Sequence, residues 1–184
     1  LYQNHDFLII NKLKGYSVQR GSKVNISLKD YYESLLKTNL YIVHRLDKDT
    51  SGLMIFAKNR LAASKISKLF LNNKINKYYI ANTNSLFKKS SGLLKNTNAE
   101  NKILKLLFRR IYINNSINTY LIKLLTGKKH QIRFQFFLND NPIIGDKKFN
   151  SKSKFDLQLS SVSLNFIYDE KFYKFKLSLN QIFQ

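Results

Sequence analysis

A chain of 184 residues is long enough to bury a sizeable core in one domain. Its 43% apolar and 14% aromatic content excludes a disordered basic tail, and the lack of cysteine excludes disulfides, thiolate metal sites and a cysteine nucleophile. Thirty-two Lys and Arg against 11 Asp and Glu give a net charge of +21, which points to a polyanion such as RNA or DNA, since bound phosphates release counterions. The abundance of Lys, Asn, Ile, Phe and Tyr is also what AT-rich codons produce, so compositional drift is a competing source of this charge. No run reaches the ~18 apolar residues of a membrane span, and the N-terminus lacks a signal-peptide pattern. The expectation is a soluble, cytoplasmic, monomeric protein without membrane association.

In chain order, "HDFLIINK" (5–12) reads as a short buried strand ending in a turn at Lys14-Gly15. "LYIVHRL" (40–46) and "GLMIFAK" (52–58) are β-rich runs on either side of a polar knot, "HRLDKDTSG". "RLAASKISKLFLNN" (60–73) changes to a helical period, with Ala62, Ile66, Leu69 and Phe70 on one apolar face. "NKYYIAN" (76–82) returns to strand, and 84–101, rich in Ser, Lys and Asn, reads as an exposed loop. Two strand-like runs flank Asn114-Asn115-Ser116, a hairpin turn. "GKKHQIRFQFFL" (127–138) reads as a helix with Thr126 as its N-cap. The terminal segment alternates on both sides of Asp169-Glu170-Lys171 and predicts a last hairpin. With no interior linker or repeat, the prediction is a single α+β domain over residues 1–184.

Two tempting motifs fail. Asp47-Lys48-Asp49-Thr50-Ser51-Gly52 imitates the first half of a calcium loop, but Lys58 stands where a bidentate Glu is required and the flanks read as strands. "TGKK" (126–129) lacks the upstream glycine of a phosphate loop, where Ile122 stands, and puts Lys129 in place of the magnesium-binding hydroxyl. His5, His44 and His130 show no metal spacing, and no Ser-His-Asp order suggests itself.

The polar knot followed by an apolar strand resembles the signature of the RluA-type pseudouridine synthases, which act on ribosomal and transfer RNA. Three further segments occur in that family's order: "DFLIINKLKGYSV" (6–18), "KYYIA" (77–81) and "LLTGKKHQIRFQFFLNDNPIIGD" (124–146). The likeness runs from about residue 5 to 180. It implies the family's fold, a mixed, mostly antiparallel β-sheet flanked by helices with a central RNA-binding cleft. It implies a cofactor-free, metal-free uridine isomerase, with large-subunit rRNA as the expected substrate and tRNA as the alternative. A binding protein that keeps this fold without catalysis is the rival reading. The resemblance also assigns roles: Asp47 as nucleophile or base, Tyr79 stacking on the target uracil, and Arg133 pairing with the Asp47 carboxylate.

The chemistry asks for the same set. Turning uridine into its C-glycoside breaks an N-glycosidic bond, rotates the base and rejoins it through C5, with no redox or phosphoryl step. A carboxylate of ordinary pKa, about 3.9, is ionised at neutral pH. Unstacking the base costs a few kcal/mol, part of which an aromatic face recovers. Lys12, Arg45, Lys77, Lys128 and Gln131 are expected RNA contacts, with Arg45 filling the gap in the RNA or binding phosphate. Thr50, Ser51 and Gly52 belong to the same substrate-binding loop and shape it, and His130 reads as structural. Tyr79 as a core aromatic and Arg133 as a solvated helix residue are the bland alternatives. Leu13, Lys128, Asn150, Ser160 and Ser161 depart from the family's usual residues, all outside the three catalytic positions. The expectation is a catalytic domain with no accessory RNA-binding domain before it, with target choice resting on this domain or on a missing N-terminal part.

Overall fold

The computed structural model describes residues 2–21, 25–114, 116–149 and 154–183. Asn115 of the expected hairpin turn, and Asn150, lie outside them. The first half of the chain contains β1 (Tyr2–Gln3), β2 (Phe7–Lys12), α1 (Leu28–Leu36), β3 (Tyr41–Ile42), β4 (Ser51–Ala57), α2 (Arg60–Leu71) and β5 (Asn76–Thr83). The second half contains β6 (Ser91–Thr97), β7 (Ile103–Ile113), β8 (Asn118–Leu124), α3 (Gln131–Leu138), β9 (Leu159–Tyr168) and β10 (Lys171–Lys176). This is an α+β protein. It divides into two compact units, Leu1–Ile75 with Leu164–Gln184, and Asn76–Ser163. Among the described residues no helix is long and apolar enough to cross a membrane.

In the first unit β4 is buried along its whole length, as its unbroken apolar run requires. It pairs antiparallel with β2 from Phe7↔Ala57 to Lys12↔Gly52, and with β3 at its other edge. Phe7, Ile9, Leu53, Ile55, Ile66 and Phe166 share one core, each side chain contributing about 1.5–3 kcal/mol by burial. Asn59 caps α2 by accepting from the Ala62 N–H at 2.8 Å, and Ala62 and Ile66 are the buried residues of its apolar face. The β9–β10 hairpin turns at Asp169 and Glu170, whose φ angles of 46° and 62° match the twist of a two-residue turn.

Sequence periodicity missed α1. It starts at a Ser27–Asp30 capping box, where Asp30 accepts from the Ser27 N–H at 2.9 Å and from Arg20 at 2.9 Å, and it buries no residue completely. The strand expected over 40–46 is only Tyr41–Ile42. The chain leaves the ladder there and turns toward the polar knot.

The second unit is an antiparallel meander in the order β5-β8-β7-β6. The loop expected over 84–101 therefore needs correcting, because β6 occupies Ser91–Thr97. Leu94 is its one buried residue, so the strand is polar enough to pass for a loop. Helix α3 starts at Gln131, with His130 at its N-terminus in a left-handed conformation (φ 55°), and Thr126 is not its cap. Instead Thr126 Oγ1 accepts from the Lys105 N–H at 2.9 Å and donates to Gln131 Oε1 at 2.9 Å, which ties 126–130 into a turn. Phe136 of α3 packs edge-on against Phe87 and Tyr120, fixing the helix on the inner face of the meander.

Candidate active site

Asp47 lies at the start of a tight turn that feeds β4, and the residue is half-buried. The turn closes through the Thr50 N–H, which donates to the Asp47 carbonyl at 3.1 Å. A second contact holds it from outside: the Lys48 carbonyl accepts from the Gly15 N–H at 3.0 Å and from Lys12 Nζ at 2.8 Å. Lys12 Nζ also donates to the Leu13 carbonyl at 2.9 Å. Lys12 is only 1% exposed, and burial pulls its ammonium down to about 8 against the opposing pull of the Asp49 and Asp47 carboxylates. The "NKLKG" and "HRLDKDTSG" segments thus meet at one carbonyl next to the candidate catalytic aspartate.

The end of the turn is packed into the protein. Thr50 and Ser51 are buried, at 3% and 0% exposure, so they shape the loop rather than present hydroxyls to solvent. Gly52 has a φ of 109°, a backbone state that L side chains rarely adopt. His44 Nε2 accepts from the Ile55 N–H at 2.9 Å, which places the ring proton on Nδ1, and the ring stacks on Phe70 at 4.2 Å. Arg45, by contrast, is exposed.

In the second unit Tyr79 sits on β5 opposite Ile122, 7% exposed. Arg133 is buried in the first turns of α3, where its Nε and one terminal nitrogen donate to the two oxygens of Asp146 at 2.9 and 2.6 Å. Its other terminal nitrogen faces His130 Nδ1 at 3.3 Å. Asp146, 1% exposed, also accepts from the N–H groups of Lys148 and Phe149 at 3.0 and 3.2 Å. The preceding Gly145 (φ 81°) has no room for a side chain, since a Cβ there would lie 1.9 Å from the Asp156 carbonyl oxygen. This forked pair fixes the plane of the guanidinium.

Three of the expected RNA contacts, Lys12, Lys77 and Gln131, are buried. Lys12 braces the Asp47 turn. Lys77 is 7% exposed and its amine is lowered by burial. Gln131 is 3% exposed, with its amide donating to the Lys105 carbonyl and Gln135 and its oxygen accepting from Thr126 and the Lys128 N–H. Each is held by backbone or burial that a long polar side chain does not reveal in sequence. Lys128 and Lys129 remain exposed. Sequence patterns do not single out Asp146 as the partner of Arg133, although an arginine buried on a helix demands a carboxylate partner.

A family profile described as RNA pseudouridylate synthase matches residues 6–137. An RNA pseudouridine synthase of Haemophilus influenzae, described as uncharacterized, is 32% identical over 166 residues, covering 84% of this chain and 74% of its own length. Ribosomal large subunit pseudouridine synthase C of Buchnera aphidicola is 32% identical over 200 residues, covering 92% of this chain and 63% of its own length. The protein of that name from Rickettsia typhi is 30% identical, and the chain spans 56% of its length. Among solved structures, human RNA pseudouridylate synthase domain containing 4 superposes with a TM-score of 0.83 at 21% identity, over 97% of this chain and 87% of that one.

Proposed function

Because the chain belongs to the RNA pseudouridylate synthase family, we propose that it isomerises uridine to pseudouridine in RNA, with large-subunit ribosomal RNA as the substrate. The observation that carries the reading is the braced turn at Asp47. Three backbone or side-chain donors converge on the Asp47 and Lys48 carbonyls, and Asp47 as a residue is half-buried. Such bracing holds a reacting group in place without blocking it. The relatives named for the ribosomal large subunit support the choice of RNA.

On this reading the chain acts as one catalytic domain. Asp47 opens the reaction, either by attacking the sugar or by taking a proton from it. The glycosidic bond from N1 breaks, the uracil turns, and C5 bonds to the sugar carbon. The C5 proton then leaves, and N1 gains one, so no atom is lost. Tyr79 supplies the aromatic face for the flipped uracil, and Arg133, held by Asp146, supplies a positive charge of fixed orientation. Arg45 and Lys128 contact the RNA backbone. Mapping pseudouridine in total RNA from cells with and without the protein tests the reading. Large-subunit sites that vanish with the protein support it, and an unchanged map contradicts it.

A further inference from the structure

We propose that the outer face of the β5-β8-β7-β6 meander is a second RNA-binding surface, which grips the strand flanking the modified nucleotide independently of sequence. The inference rests on the chain being an RNA-modifying enzyme. These four strands carry six Lys and Arg and no Asp or Glu. The face opposite α3 presents Lys95, Lys105 and Arg109, all exposed, with Lys123 beside them. Lys95 and Lys105 stand directly across from each other in register, and among the described residues neither pairs with a carboxylate. Like charges opposed in a ladder destabilise it. An anion laid across them removes that repulsion.

Two aromatics complete the face. Tyr78 lies opposite Lys123, whose ammonium sits 5.8 Å from the ring centre. A bulge between Arg110 and Tyr112 turns Tyr112 to the same side as Thr119, where it is 56% exposed. Cations interleaved with the half-buried Tyr78, the exposed Tyr112 and the aliphatic Leu93 and Leu107 make a sequence-tolerant platform for single strands. The platform also joins the motif loop. The Lys105 carbonyl accepts from the Leu125 and Thr126 N–H groups, and the exposed Lys128 and Lys129 follow directly. At that end Glu100 is engaged by Lys102.

The test is salt-dependent binding of the full chain to poly(U) of about 40 nucleotides and to oligo(U) of about six, followed by fluorescence anisotropy. Lys95→Gln with Lys105→Gln should lower the salt slope on the long RNA by about 1.4, since each neutralised phosphate of a single strand contributes about 0.7. The slope on the short oligomer should not change. Lys88→Gln with Lys89→Gln, on the exposed segment before β6, should alter neither. Thermal unfolding should show Lys95→Gln/Lys105→Gln at least as stable as the parent, because the opposed charges are gone. An unchanged long-RNA slope in that variant, an equal loss in the Lys88/Lys89 variant, or tight binding only to an acidic peptide overturns the surface. Failure of the unsubstituted protein to bind either RNA overturns the underlying functional reading instead.

Discussion

Lys12→Met should change how the protein's stability responds to pH. Lys12 is 1% exposed, and burial has pulled its ammonium from 10.5 to about 8. Between those values the unfolded chain holds a proton that the folded chain has released, so stability rises with pH through that window. Below about pH 8 the folded protein carries the full penalty of burying the charge, roughly 3 kcal/mol at 1.36 kcal/mol per pH unit. Integrated from about pH 7.5 to about 9.5, this group alone adds about 2 kcal/mol of stability. Methionine has similar volume and no charge, so the variant should lack that increment. Other groups titrate nearby: Lys77 is also lowered by burial, and Tyr168 is pushed up to about 12, chiefly by burial. They cancel in the difference between parent and variant. Urea unfolding at several pH values measures it. Parallel stability profiles for the two proteins would refute the buried ammonium.

Other consequences follow from single contacts. Gly145→Ala should destabilise by at least about 2 kcal/mol, combining left-handed strain with the clash at Asp156; an unchanged Tm would contradict the close approach. Arg133→Met should cost about 3–5 kcal/mol by leaving Asp146 buried and unpaired. Adding Asp146→Asn, which keeps an acceptor for the Lys148 and Phe149 N–H groups, should restore part of this in urea unfolding. Tyr79→Phe should keep RNA affinity, whereas Tyr79→Leu should lose about 1–3 kcal/mol of it in equilibrium titration. Equal affinities for both variants would make Tyr79 a packing residue.

Where burial follows a simple period, the elements were legible. The apolar run 53–57, the face Ala62–Ile66 and the two hairpins appear where the patterns place them. Helix α1 has no fully buried residue, so no apolar stripe marks it, and its capping box uses Asp where Glu or Gln is usual. The β6 strand was hidden by the same polarity that protects an edge. The motifs singled out Asp47, Tyr79 and Arg133 as candidates but not the state of their neighbours. In a chain with 32 Lys and Arg, nothing local separates Lys12, tied to two carbonyls, from Lys128, exposed on a loop. That distinction comes from register, which sets Lys12 opposite Gly52 and aims its amine at the turn.

The role of Asp47 is tested most directly by Asp47→Asn, with isomerisation followed as tritium release from uracil C5 in large-subunit RNA lacking the modification. The swap is nearly isosteric, keeps the backbone bonds of the turn, and removes one negative charge facing phosphate. Folding and RNA affinity should therefore persist, with affinity unchanged or slightly higher, while tritium release falls to background. Measurable turnover by a folded Asp47→Asn protein would contradict the account.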